Sequence, residues 1–207
     1  MNNFEKHIKD FDLFNIGYID SIPKNHINYL KKNIDFSKKA NEKLAGHIRE
    51  EYFYNNWSED FERFFIESSI NHKNIQEYLK SIYMLSKNVP YYLKALWVNK
   101  QKKYEFNPIH NHTGALSFIV FLKIPYDLKE EDKVFPKNNA TPSVTSRLTF
   151  LGNRLLGGIY QLVINVDKSF ENKMLVFPAN LYHMVYPFYT SNDYRITVSG
   201  NISFYVG

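Results

Sequence analysis

The stretch "NPIHNHTGALSFIVFLKIP", residues 107–125, decides how this chain is read. Its second half is an unbroken apolar, β-branched run. That is the pattern of a strand buried on both faces. Its first half carries His110 and His112, two of the seven histidines, one residue apart. Side chains alternate along a strand, so i and i+2 share a face. Both imidazoles can then enter one cavity. Taken alone, the pair reads equally as hydrogen-bonded histidines at a strand edge.

Working outward, the downstream half continues as short apolar segments. "SRLTFL", "IYQLVINV", "MLVFP" and "RITVSGNISFYV" are separated by polar, Gly, Asn or Pro clusters. "YYLKALWVNK" and "KYEFNPIHNH" precede them as strands. Many short strands at this spacing predict an antiparallel sandwich or barrel. Residues 126–143 are polar and contain prolines, and predict a mobile surface loop.

Upstream the texture is helical. Ile27, Leu30 and Ile34 form one stripe. Trp57, Phe61, Phe64 and Phe65 form a second, and Ile75, Tyr78, Leu79, Ile82 and Tyr83 a third. Each predicts a helix side that faces a core. "FDLFNIGYIDSIP" near the start has the texture of a strand that joins the sheet. No linker divides the halves. The expectation is one domain over 1–207: helical support in 1–88 and a β core in 89–207. His7, His26, His47 and His72 have polar neighbours and predict surface or capping positions.

Composition narrows the chemistry. The chain has 207 residues, enough for one sizeable core. It has no cysteine, which excludes disulfides, thiolate metal sites and a thiol nucleophile. The net charge is +5, but the lysines are scattered, so no nucleic-acid partner is expected. No run is long enough to span a membrane, and "MNNFEKHIKDFDLF" lacks a secretory apolar core. A cytoplasmic protein is the expectation.

Two more features point to a site. His183 lies in "MLVFPANLYHMVYPF", just after a strand that ends in Phe-Pro. Arg195 follows twelve residues on, entering an apolar strand with only Asp193 nearby as an acid. A guanidinium there needs compensation. A carboxylate-bearing ligand would supply it in bidentate fashion.

The ordered set of His-x-His, a long gap, His, then Arg with a hydroxyl two positions on resembles the iron(II)- and 2-oxoglutarate-dependent oxygenases. "NPIHNHTGALSFIVFLKIP", "LVFPANLYHMVYPF" and "RITVSGNISF" resemble the small oxygenases common in phages and marine bacteria, with a prolyl-hydroxylase-like style. "ANEKLAGHIREEY" resembles the helical lead-in of that branch.

The resemblance implies a mainly β fold with N-terminal helices: a double-stranded β-helix, or jelly roll, buttressed by α-helices. It implies iron(II) and 2-oxoglutarate as cofactors, with O2. His110, on the second core strand, and His183, on the seventh, match the metal histidines. Arg195, on the eighth, matches the residue that pairs with the distal carboxylate of 2-oxoglutarate. Thr197 matches its assisting hydroxyl. Tyr104 matches a tyrosine often near that carboxylate, although Tyr104 and Trp97 read equally as core. Asn201 reads as a pocket residue or as a β-bulge beside Gly200.

One departure stands out. The acid of the usual His-x-Asp/Glu motif is replaced by His112. His112 is then either a third metal ligand, or it swings away and water fills the position. In a second frame, His112 is the first ligand and Gly114 takes the acid position. The implied function is a hydroxylase acting on a protein or peptide side chain, or on a small amino-acid-like molecule. The location is that of the host cell if the chain is phage-encoded. The alternatives are a three-histidine, cupin-like dioxygenase that does not use 2-oxoglutarate, and a non-catalytic jelly-roll binding module.

Overall fold

The apolar run becomes β5 (Leu116–Lys123), buried along nearly its whole length. In the computed structural model, which describes residues 2–83, 90–135, 143–153 and 157–205, this strand lies inside a six-stranded antiparallel sheet. Its companions are β1 (Gly17–Ile19), β2 (Glu51–Phe53), β3 (Tyr91–Gln101), β8 (Met174–Pro178) and β10 (Arg195–Phe204), in the order β1-β8-β5-β10-β3-β2. A second sheet orders β4 (Asn107–His110), β9 (His183–Val185), β6 (Leu148–Asn153) and β7 (Ile159–Ile164) as β4-β9-β6-β7. From β3 to β10 the chain passes back and forth between the two sheets. This is the expected eight-strand jelly roll, with β1 and β2 added at the edges of the larger sheet.

Alternation explains why β5 has no polar face. Phe118, Val120 and Leu122 point one way, into a core shared with α2 (Lys24–Lys32), α3 (Glu59–Ile70) and α4 (Lys73–Tyr83). Ile27, Leu30, Phe61, Phe65, Ile75 and Leu79 come from those helices. The Phe65 ring stacks on Phe118 with centroids 5.1 Å apart. Ile119 and Phe121 point the other way, into the space between the sheets, with Phe150, Phe177 and Phe188. There they meet Phe4 and Phe11 of α1 (Asn3–Phe11). Both stripes read from the sequence over 24–34 and 57–65 supply core residues. In the third, the side chains of Ile82 and Tyr83 lie outside the described ones.

The strand texture of "FDLFNIGYIDSIP" agrees with β1, which pairs with β8. Other local details differ. The upstream half also holds β2, which pairs with β3. His7 and His26 are buried. His7 sits on the α1 face that carries Phe4 and Phe11, and its Nε2 accepts the Asn165 amide at 2.9 Å. His26 packs edge-on against Phe61. The loop 126–143 begins with a helical turn, α5 (Leu128–Glu131). Glu131 is wholly buried there, accepting the amides of Tyr189 and Thr190 and the Thr190 hydroxyl. The polar composition of that segment serves the backbone before β10 as well as solvent; residues 136–142 lie outside the described ones. Finally, Asn201 accepts from the Ser117 hydroxyl at 2.6 Å beside a register shift at Asn201/Ile202. The bulge accounts for it. Among the described residues no helix is long and apolar enough to cross a membrane.

Two outcomes follow from this packing. Phe65→Ala removes a buried ring shared by helix and sheet and should cost about 3–5 kcal/mol. Urea unfolding followed by far-UV and near-UV circular dichroism should show one coincident transition, as one folding unit requires; two separated transitions would make 1–88 an independent body. The second outcome concerns pH. Burial lowers the His7 pKa below 6.5, and protonation would break the bond from Asn165. The unfolded chain therefore takes up a proton that the folded chain resists. This contribution is present above about pH 6.5 and is lost as pH falls below it. The stability of His7→Gln should fall less steeply between pH 7 and 5 than that of the parent, as read from urea midpoints.

Candidate metal centre and carboxylate pocket

Strand pairing builds the centre. His110 ends β4, His183 begins β9, and the two are direct cross-strand partners. Directly opposed side chains on one face lie within contact distance, and these rings have centroids 4.3 Å apart. His112 lies past the end of β4, so strand alternation alone does not place it. Its backbone amide donates to Ala179 at 2.7 Å, which turns the chain so that the ring faces the other two. The ligand atoms of all three lie within 4.8 Å of one another. They form the metal-capable cluster found among the described residues, and no carboxylate belongs to it.

Backbone carbonyls set the tautomers. His110 Nδ1 lies 2.7 Å from Pro108 O, and His183 Nδ1 lies 3.0 Å from Leu181 O. A carbonyl can only accept, so each Nδ1 carries the proton and each Nε2 keeps a free lone pair. His112 Nε2 and His183 Nε2 are 3.3 Å apart. Phe150 and Phe177 pack on His183, and Trp97 packs near His112, holding the rings in place. Burial lowers the pKa of His110. Burial, then the neighbouring His110, lowers His112 to about 3. Burial, then the other two imidazoles, holds His183 well below its usual value. At neutral pH the cluster is three uncharged imidazoles.

Gly114 adopts φ +114°, and a Cβ there would stand 2.8 Å from Ile202 O. It is a close backbone crossing.

The imidazoles open onto a cavity of about 190 Å³. Arg195 and Thr197 line the same cavity, on one face of β10. Arg195 is 2% exposed, and among the described residues no carboxylate forms an ion pair with it. Its one described side-chain hydrogen bond reaches Ser146 O at 3.4 Å. Asp193, the nearby acid in sequence, pairs with Lys123 instead. Tyr104 is a correction. It sits in a turn at φ 72°, is 61% exposed and packs edge-on against Tyr189. It does not line the cavity. The turn between β3 and β4 carries it outward.

Residues 95–201 match the sequence model of the 2OG-Fe(II) oxygenases. The chain belongs to this family. The family's cofactors are iron(II) and 2-oxoglutarate, with O2 as co-substrate. The fold agrees. An oxidoreductase of the 2OG-Fe(II) oxygenase family from Burkholderia pseudomallei superposes with a TM-score of 0.51 at 9% identity, over 98% of this chain and 90% of that one. A Pseudomonas putida prolyl-4-hydroxylase superposes with a TM-score of 0.50 at 10% identity, over 97% and 98%. No curated protein matches the chain in sequence.

The residues present in this oxygenase fit both cofactors. Three neutral imidazoles whose ring nitrogens converge are a donor set that iron(II) accepts. An unpaired, buried guanidinium in the same cavity suits a carboxylate.

Several lining residues were missed in the sequence. Asn99 and Gln101 share the cavity face of β3 with Trp97. The signal was available as Trp, Asn and Gln at alternate positions of one strand. Glu51 is another. "ANEKLAGHIREEY", expected as a helical lead-in, instead supplies a short turn at Asn41–Lys43 and then β2, and it walls the cavity with Gly46, Ile48 and Glu51.

The Gly114 crossing is testable. Gly114→Ala forces a side chain into a left-handed backbone and against Ile202, at a cost of about 1–3 kcal/mol. A lowered urea midpoint is the expected reading, and unchanged stability would mean that the loop takes another path.

Proposed function

We propose that this chain is an iron(II)- and 2-oxoglutarate-dependent hydroxylase. Its substrate class is a protein or peptide side chain or a small amino-acid-like molecule. His110, His112 and His183 hold the iron through nitrogen. Arg195 anchors the distal carboxylate of 2-oxoglutarate, with Thr197 assisting. Bound together, the iron and 2-oxoglutarate supply the oxidising power needed at an unactivated C–H bond.

The observation that carries this reading is Arg195: a buried guanidinium with no carboxylate partner among the described residues, in the cavity that the imidazoles enter. A three-histidine dioxygenase without 2-oxoglutarate accounts for the imidazoles but leaves that charge uncompensated. A non-catalytic jelly roll accounts for neither. The protein's own part is orientation and charge. The two Nδ1–H bonds to backbone carbonyls hold His110 and His183 with Nε2 free. The Arg195 charge fixes one end of the dicarboxylate. The aromatic packing around His183 and His112 keeps water from the ring faces. With His112 in the usual acid position, the protein ligands bring no negative charge, so the metal and its three ligands keep the ion's full charge.

The test is an anaerobic titration of iron-loaded protein with 2-oxoglutarate, read by its charge-transfer absorption. A charged hydrogen bond contributes roughly 1.5–3 kcal/mol, so Arg195→Met should weaken 2-oxoglutarate at least about tenfold while iron binding changes far less. His110→Ala, His112→Ala and His183→Ala should each weaken iron binding. Equal 2-oxoglutarate affinity in parent and Arg195→Met removes the anchor. Unchanged iron affinity in His112→Ala alone returns its position to water.

A further inference from the structure

The cavity holds a second polar group set that neither the imidazoles nor Arg195 uses. Glu51 on β2 is 1% exposed and lines the cavity. Its one described hydrogen bond is long, from Asn41 Nδ2 to Oε2 at 3.3 Å. Among the described residues no cation forms an ion pair with it. Its cross-strand partner is Asn99, whose Oδ1 is buried without a hydrogen bond. Asn107, on β4, presents a second buried and unpaired Oδ1 to the same cavity.

Gly46 brings two of these oxygens together. A Cβ at Gly46 would stand 2.7 Å from Glu51 Oε1 and 2.5 Å from Asn107 Oδ1. Both oxygens therefore lie against one backbone position. Two buried amide oxygens without a partner, beside a buried carboxyl with one long hydrogen bond, are a costly arrangement. It is the complement of a group that has only donors, and an ammonium has three.

The local charge agrees. Lys43 lines the cavity but is exposed, and Arg195, which begins β10, forms no described ion pair with Glu51. Glu105 is the charged neighbour that acts on Glu51, and it is itself an acid. Burial, then Glu105, pushes the Glu51 carboxyl up to about 7. A cation brought in by a ligand would restore the carboxylate.

We propose that Glu51, with Asn99 and Asn107, determines specificity by binding the side-chain cation of a basic amino acid, free or within a peptide. This rests on the hydroxylase reading and narrows its substrate class. Glu51 touches the substrate; it is no ligand of the iron. Gly46 serves the same subsite, since only a residue without Cβ lets the 43–48 wall close over the two oxygens.

The test uses the full chain with iron(II) and 2-oxoglutarate under anaerobic conditions. The probes are L-lysine, L-arginine and L-norleucine, and the peptides acetyl-Gly-Lys-Gly-amide and its norleucine counterpart. Norleucine keeps the lysine chain and lacks the nitrogen. Binding is read by calorimetry and by the change in the charge-transfer band. At least one basic probe should bind about tenfold or more tighter than its norleucine counterpart, the scale of a charge-assisted hydrogen bond. Glu51→Gln should abolish that preference while 2-oxoglutarate binds as in the parent, which also shows that the variant is folded. Asn107→Asp, which adds a second carboxylate, should sharpen the preference. Equal binding of basic and norleucine probes overturns the inference, as does binding of no probe. Competition by millimolar magnesium or calcium for the same site overturns it in favour of a metal cation. In these cases an intact 2-oxoglutarate band leaves the hydroxylase reading standing. Loss of that band in the parent overturns both.

Discussion

The pairing of β10 between β3 and β5 is the constraint on which the molecule depends. Ten residues of β10 are in register with β3, and seven with β5. This ladder fixes the depth of Arg195 and Thr197 and sets Gln101 and Asn99 opposite them. It also joins the two cores, because β5 faces the helices with one set of side chains and the second sheet with the other. A strand that slipped by one residue would turn every cavity residue into the core and every core residue into the cavity. The register with β3 changes at Asn201/Ile202, beyond the residues that line the cavity, and the register with β5 changes at Ile196/Thr197, between two that do.

The smaller sheet supplies the complementary constraint. β4 and β9 are short, and their pairing is irregular between Asn107 and His110. What they hold is a single cross-strand pair of histidines. Backbone carbonyls then occupy the outer nitrogens of those rings. The result is preorganisation: the His110 and His183 rings are held with Nε2 free, and the His112 ring lies against them with its Nε2 3.3 Å from that of His183. The depressed pKa values of the three rings express the same fact, since a proton is a poor substitute in so buried a place.

Charge in the cavity is unbalanced in two separate ways. Among the described residues, Arg195 is a buried cation without an anion and Glu51 a buried acid without a cation, and they form no ion pair with each other. In a low-dielectric interior such groups are costly when left alone. Their presence in one cavity suits the two differently charged groups proposed above, an anionic co-substrate and a cationic side chain.

The strands of the jelly roll were legible because period-two patterning and unbroken apolar runs are local properties of the chain. The helical stripes were legible for the same reason. So were His110, His112, His183 and Arg195, since a histidine beside a buried strand and an arginine within one need explanation wherever the chain folds. Tyr104 was misplaced because a positive-φ turn between β3 and β4 reverses its direction, and a turn's path is set by the strands it joins. Glu51 was missed because nothing in "HIREEY" distinguishes a walling strand from a solvated segment. Its burial arises only when β2 adds to the edge of β3, some fifty residues downstream. The sequence by itself determined the alternation that makes the sheets and the residue types that can bind a metal and a carboxylate. Only the tertiary structure decided which of them share a cavity, because cross-strand neighbours are chosen by register between segments far apart in the chain.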